Sequence, residues 1–408
     1  MIVAINASVE KRMIPLGELC KVVAGGTPKR SNSTFYKGDI PWVKISDMLQ
    51  GVICDTEEHI SEDAIQGSTA KLLPAGTLLL SIFATVGRTA VLAVPATTNQ
   101  AIVGLVLSSE DISVSYLRHF LDSACSHLKS LGRGVAQNNI NGSILKALEI
   151  PFPFKNGKPD LTEQKRIAAI LDKADGIRRK RREALQLADD FLRSCFLDMF
   201  GDPVTSGWVS DTVEGIANKE KGSIRTGPFG SQLLHSEFVD KGIRVLGIDN
   251  AVKNEFRIKQ DRFISEEKYE SLKRYTVHPN DVIITIMGTC GRCAIVPEEI
   301  EPAINTKHLC CITLNRKKCL PEYLHAYFLT HPLAKKYLKD RSKGAIMDGL
   351  NMGIIKALPV AMPPIQLQQH FVKICKVVNE KKRKLEIAST TCNDLFASLQ
   401  QRAFKGEL

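Results

Sequence analysis

No stretch of this chain is long and apolar enough to read as a membrane-spanning helix. The longest charge-poor segment, residues 72–98, carries Arg88 and is broken by Pro74, Gly76, Gly87 and Pro95, so it reads as two or three strands. No basic N-terminal region is followed by a long apolar run, which argues against a secretory signal. Signatures of chemistry are missing as well. No phosphate-cradling Gly-x-x-x-x-Gly-Lys-Ser/Thr is present. Met362-Pro363-Pro364-Ile365 and Gly201-Asp202-Pro203-Val204 lack the residues of the Asn/Asp-Pro-Pro-Tyr/Phe sequence of adenine methyltransferases. Asp160 with Glu163 and Lys165 imitates a nuclease motif, but the acids are too close in sequence and sit where a helix begins, so capping explains them. The nine histidines show no metal-ligand spacing, and His308 and His325 read as lone structural residues among apolar neighbours. Eleven cysteines, an odd and scattered set with several inside apolar runs, fit a reducing cytoplasm. These absences point away from an enzyme, a resident cofactor and a metal.

What the chain does have is a repeat. Leu78–Leu92 is echoed by Val282–Val296, 204 positions on, with Gly87-Arg88 matched by Gly291-Arg292. Tyr116–Leu121 is echoed by Tyr323–Leu329, Asn141–Leu148 by Asn351–Leu358, and Asn99-Gln100 more loosely by Asn305–Lys307. A period near 200 residues far exceeds solenoid repeats of roughly 20 to 50 residues, so it marks a duplicated domain. The loops between the echoes differ freely, as Lys29–Ser33 differs from Phe229–Gln232, which suits two modules doing one job on two targets. Cys290 and Cys293 have Val86 and Thr89 as their counterparts, so packing explains them better than zinc.

The same offset relates two long helical patterns. Ile167, Ile170, Ala174, Ile177, Arg181, Ala184, Ala188, Phe191 and Cys195 recur every three and four residues. Phe371, Ile374, Val378, Lys381, Leu385, Ala388, Cys392, Leu395 and Leu399 do the same. This is the seam of a coiled coil with one basic interruption in each copy. Asp160 and Glu163 form a capping-box pattern at the first start, and Pro363-Pro364 precedes the second. The expected partition is a first domain over 1–158, a spacer helix over 159–201, a second domain over 202–364 and a second helix over 365–408. The fold class is α+β: two mixed α/β domains joined by two long antiparallel coiled-coil helices with pseudo-twofold internal symmetry.

Several strings, in this order and partly duplicated, carry a family likeness. They are Leu16–Pro28, Asp39–Val43, Gln137–Gly142, Ile150–Pro153 and above all Glu163–Asp172 leading into the helix. The chain resembles the specificity subunit of type I restriction-modification enzymes over nearly its whole length. Its second copy departs from the pattern: Glu163–Arg166 becomes Leu367–His370, and Gly25–Pro28 becomes Thr226–Phe229. The resemblance implies two target-recognition domains, each reading half of a bipartite, asymmetric double-stranded DNA sequence. It implies that the helices act as a ruler docking two methyltransferase subunits, which would use S-adenosylmethionine, together with a restriction subunit. The specificity subunit itself is then neither catalyst nor cofactor carrier. A formal charge of +11 suits such a partner. A helix of about 57 Å also exceeds the roughly 34–36 Å between consecutive major-groove half-sites. The alternative is a stand-alone two-module DNA-binding or adaptor protein without methyltransferase partners.

Reading DNA needs long polar side chains on loops: Arg and Lys suit guanine, Asn and Gln suit adenine, and further basic groups hold phosphates. In the first module the candidates are Thr27, Lys29, Arg30, Asn32 and Lys44, then Arg88, Asn99 and Gln100, with Arg133, Gln137 and Asn138 in a Gly-rich polar stretch. In the second they are Arg225, Thr226, Ser231, Gln232, Arg244, Asn250, Arg292, Asn305, Lys307 and Lys343. Arg88 and Arg292 share one position in the repeat, so a shared task, phosphate binding or a structural ion pair, suits them better than base reading. The basic runs Arg178–Arg182 and Lys381–Lys384 are expected either to face DNA or an acidic partner, or to be a solvated flank.

Overall fold

The structure, a computed structural model, describes residues 10–83, 85–131, 140–201, 207–342 and 349–408. The expected positions Arg133, Gln137, Asn138 and Lys343 lie outside the described residues. The chain divides into two compact units: residues 1–182 with 387–408, and residues 183–386. The two long helices, Leu161–Phe200 and Ile365–Lys405, each belong half to one unit and half to the other.

In the first unit a five-stranded sheet runs in the order Cys20–Ala24, Ile102–Leu107, Leu78–Ser81, Thr89–Leu92, Val52–Ile53. The second unit repeats it with four strands: Ile224–Thr226, Leu309–Ile312, Val282–Thr285, Cys293–Ile295. The central strand is an unbroken apolar run because both of its faces are covered. Leu78 and Leu80 enter one core while Leu79 enters another, and Val282 and Ile284 part from Ile283 in the same way. A second, small sheet of short strands lies in each unit: His59–Ile60, Ile40–Val43 and Thr97–Thr98 in the first, and Phe263–Ile264, Ile243–Leu246, Ala303–Asn305 and Thr276–Val277 in the second. The tight turn after the central strand is built alike in both copies. Ser81 Oγ accepts from the Arg88 amide and Thr285 Oγ1 from the Arg292 amide, each at 2.9 Å, and Gly87 and Gly291 supply the positive φ.

Within each unit the two helix halves run antiparallel. In the first, Arg178 meets Asn393 at 3.0 Å and Arg166 meets the Leu408 carbonyl at 2.9 Å. In the second, Phe371 packs on Phe200 and Phe196, and Lys382 pairs with Asp189. Ile167, Ala168, Leu171, Phe396 and Ala403 enter the first core, and Phe196, Phe200, Phe371 and Cys375 the second. Asp160 caps the first helix by accepting from the Glu163 amide at 3.0 Å. The reciprocal half of the box does not form. The Asp160 amide is taken by the Pro153 carbonyl at 2.8 Å, and Glu163 turns to Arg166 instead.

The seam differs from the one expected. Ile167 and Phe371 are buried, and Ile170, Ala174, Ile374, Val378 and Leu385 are half-buried. Ile177, Phe191 and Leu395 are 45–60% exposed. The inner positions one residue further on are Arg178, Lys382 and Phe396. Arg178 lies 4.2 Å over the Phe396 ring, and Lys382, only 8% exposed, bridges Asp189 and Glu255. Apolar spacing alone leaves a one-residue ambiguity at the edge of a heptad. Here it is decided by cations that find a ring within the seam or carboxylates at its edge. The basic runs are accordingly split. Arg178 and Lys382 turn inward and Arg181 donates to the Ala388 carbonyl, while Arg179, Lys180, Arg182, Lys381, Arg383 and Lys384 remain exposed.

Candidate nucleic-acid interface

In the first unit the expected loop residues meet at the end of the small sheet. Gly25 and Gly26 bring the backbone there. A Cβ on Gly25 would lie 2.1 Å from the Asn99 carbonyl oxygen, and one on Gly26 would lie 2.2 Å from the Ala70 nitrogen. Trp42 Nε1 donates to the Gly26 carbonyl at 3.0 Å and holds the loop. Beyond it the Thr27 hydroxyl bonds Gln100 Oε1, Lys29 is exposed, and Arg30 stacks 4.2 Å over Tyr36 and 5.1 Å over Trp42. Arg30 and Lys44 converge on Glu58, at 2.7 and 2.9 Å. The Arg30 hydrogen bond, then that of Lys44, draws the Glu58 carboxyl below its ordinary pKa. Thr27, Lys29, Arg30, Lys44 and Gln100 therefore form one polar surface. Asn32 instead caps the turn at Ser33–Tyr36 through the Thr34 amide and hydroxyl, and the Asn99 side chain caps Ala101. Arg88 stands apart from this group. Its guanidinium donates to the Ile45 carbonyl at 3.3 Å and lines a cleft of about 400 Å³.

In the second unit three expected readers are turned inward. Arg225, 7% exposed, pairs with the fully buried Asp281 at 2.5 Å and also donates to the Thr276 and Gly222 carbonyls and to Thr313. All of its nitrogens are used inside the domain, because a strand residue facing the core must have its charge met there. Asn250 is buried, accepting from the Gly247 amide and donating to the Arg257 carbonyl, each at 2.8 Å. Asp47, which accepts from the Lys44 amide at 2.7 Å, is its counterpart, so this position caps a turn in both units. Asn305 is fully buried and donates to the Leu309 carbonyl at 3.0 Å. Arg244 is bound to Asp261 at 2.8 Å over the Phe263 ring, and Gln232 accepts from Tyr275 at 2.8 Å. Thr226 and Lys307 are half-buried, and Ser231 and Arg292 are exposed.

Two pairs of residues were missed by sequence reasoning. The first is Gln164 and Gln368, both fully buried. Gln164 accepts from the Ser113 amide and donates to the Asp111 carbonyl; Gln368 accepts from the Leu320 amide and donates to the Lys318 carbonyl. Each clamps the loop that leads into the domain's helix. Glutamine is the residue that survives between Glu163–Arg166 and Leu367–His370, and that survival was the available signal. The second pair is Glu58 and Arg262. Their carbonyls accept from the Trp42 and Val245 amides at 3.0 and 2.9 Å, which puts them at one place in the repeated small sheet. Arg262 pairs with Asp249. Arg262 Nε, Asp249 Oδ2, Asn305 Oδ1 and Thr306 Oγ1 are buried nitrogen and oxygen atoms without a hydrogen-bond partner in the protein. Buried polar atoms are nearly always satisfied, by protein, water or ligand, so these four need partners that the chain itself does not supply. Nothing in the sequence singles out Arg262, since its position becomes visible only through strand pairing.

Residues 8–187 and 228–389 match the family described as type I restriction modification DNA specificity domain. The chain belongs to this family. It is similar to the Methanocaldococcus jannaschii MjaIX specificity subunit, 25% identical over 406 residues, covering 91% of this chain and 88% of that one. An Escherichia coli type I specificity subunit is 36% identical over 169 residues, 39% of this chain and 40% of that relative. The fold is that of the type I S subunit from M. genitalium, with a TM-score of 0.56, 16% identity and 98% of both chains covered. The chain is thus a type I specificity subunit built on a duplicated recognition domain, and the family recognises DNA and assembles with other subunits without being the catalyst. Among the described residues no helix is long and apolar enough to cross a membrane.

Proposed function

We propose that each unit reads one half of a bipartite, asymmetric DNA sequence, and that the chain assembles with two methyltransferase subunits and a restriction subunit. The observation that carries this reading is the repeated polar site at the end of the small sheet. One scaffold presents Glu58 between Arg30 and Lys44 in the first unit, and Arg262 beside Asp249 in the second. A carboxylate accepts from base amino groups, whereas a guanidinium donates to guanine, so one position on one scaffold addresses two different bases. Thr27, Lys29 and Gln100 in the first unit, and Ser231, Gln232, Arg244 and Lys307 in the second, supply further base and phosphate contacts. Arg292 suits phosphate. Docking of methyltransferase subunits is supported by apolar side chains on the outer faces of the long helices: Ile177, Ile387 and Leu395 in the first unit, and Leu187, Phe191 and Val377 in the second. The chain carries no cofactor of its own in this reading, and S-adenosylmethionine belongs to the methyltransferase. The eleven unpaired cysteines suit the reducing cytoplasm, where we place it.

The test is to co-express the chain with the methyltransferase encoded beside it and to map methylated adenines across the host genome by single-molecule sequencing. A motif of two short specific halves around a fixed spacer is expected. A stable complex that methylates without a bipartite motif would overturn the proposal in favour of an adaptor role.

A further inference from the structure

Among the described residues, the second unit lays a segment of its own chain where the first has the cleft beside Arg88. In the first unit the cleft is bounded by the short turn Asp47–Gln50 and Gly51, by the turn at Gly87-Arg88, by Arg118 and Lys129, and by Arg179 of the first long helix. In the second unit the corresponding turn, Ile248–Asn250, continues into a longer segment before the strand Phe263–Ile264. Asn254 Oδ1 accepts from the amide of Cys293, the counterpart of Thr89, at 3.2 Å; in the first unit the Gly51 carbonyl meets the same strand edge two residues further on, at the Val91 amide. His325, the counterpart of Arg118, bonds the Asn254 carbonyl at 2.9 Å. Glu255 then reaches Lys382 of the second long helix at 3.0 Å, and Arg257 reaches Glu386 at 3.3 Å. The second unit thus seats a carboxylate-bearing stretch of its own backbone between domain and helix.

The first unit has the receptor without the occupant. Arg118 spends one nitrogen on Asp172 at 2.9 Å, but its Nε is buried and unpartnered. Arg88, Lys129 and Arg179 add positive charge around the same volume, against the two carboxylates Asp122 and Asp175, of which Asp175 already holds Arg179 at 3.3 Å, and Leu49, 72% exposed, offers an apolar rim. A nucleic-acid phosphate would use the cations and leave Leu49 idle; a peptide uses both. We infer that this cleft receives an acidic segment of a protein partner, as the second unit lays its own Glu255-bearing segment between domain and helix. The inference rests on the assembly proposed above, and the partner tested is the methyltransferase subunit.

The experiment uses the full chain and that subunit, first without DNA and then with DNA added. Leu49→Glu sets a competing carboxylate at the rim and should weaken association roughly tenfold, whereas Leu49→Lys should hold or tighten it. A photo-crosslinking phenylalanine in place of Leu49 should couple to an Asp- or Glu-rich peptide of the partner. Equal affinities of the two Leu49 variants, or a cross-link that forms only to added DNA, would overturn the assignment while leaving the assembly itself intact. Failure of the unaltered chain to bind the methyltransferase at all would instead overturn the assembly, and this inference with it.

Discussion

Glu58 and Arg262 stand at the same point of two copies of one domain and carry opposite charge. Around Glu58 the first unit gathers two cations; beside Arg262 the second places one carboxylate, and Asn305 Oδ1 and Thr306 Oγ1 are also buried there without partners. The scaffold beneath them is shared down to the turn cap, Asp47 in one and Asn250 in the other. The difference teaches where a duplicated recognition protein can change. Positions that satisfy backbone amides are held to a narrow chemistry, and positions at the sheet's end are free to invert their charge.

The sharpest way to break this comparison is to remove a cation that has been read as structural. Arg225→Ala leaves Asp281 buried and unpaired, and should cost the second unit about 3–5 kcal/mol in chemical denaturation. Arg30→Ala, removing a largely exposed partner of Glu58, should cost under about 1 kcal/mol. Comparable losses in the two variants would show that Arg225 is no more internal than Arg30. Next in size is the effect on DNA. Arg262→Ala should relax one position in the second half of the methylated motif, worth about 1–3 kcal/mol of discrimination, and leave the first half intact; Glu58→Gln should do the converse. A change in both halves from either variant would contradict separate reading.

Acidification sharpens the comparison further. Burial, the leading cause in each case, lowers the pKa of His325 and His331 below the ordinary 6.5, against hydrogen bonds to backbone carbonyls that favour the charged form. The unfolded chain takes up these protons first, so the stability they contribute is complete above 6.5 and declines as pH falls through and below it. In the first unit burial lowers His119 while Asp172, at 2.8 Å, works against the shift. Between about pH 7.5 and 5.5 the second unit should therefore lose more of its melting temperature than the first, and His331→Gln should flatten that slope. The smallest expected effect is at the helix flank. Leu395→Ala should change stability by no more than about 0.5 kcal/mol, because the side chain is 60% exposed, yet weaken capture of the methyltransferase subunit in a pull-down.

The duplication, the central strands and both long helices were legible because each rests on local pattern: apolar runs, a heptad period and an offset held over hundreds of residues. The inner face of the helices was legible only to within one residue, since Ile177 and Arg178, or Leu395 and Phe396, compete for a place that partner residues on the other helix decide. The candidate surface was legible as a type of loop, and the structure brings five of its expected residues together: Thr27, Lys29, Arg30, Lys44 and Gln100. Legibility failed at Arg225 because the residue that claims it, Asp281, lies 56 positions away, and at Asn250 and Asn305 because turns and carbonyls consume their amides. Polar side chains on strands and turns look alike in sequence whether they serve a ligand or the fold.

The sharing of each long helix between the units sets an order of birth. Everything the second unit contains, residues 183–386, has been synthesised before the last stretch of the first unit exists. The first core takes Phe396 and Ala403 from that stretch, with Phe404 against Tyr116 and Phe120. The domain that leaves the ribosome first is therefore completed last, contrary to the usual N-terminal-first sequence. A nascent chain halted near residue 386 would hold a finished second reader and an unsealed first one.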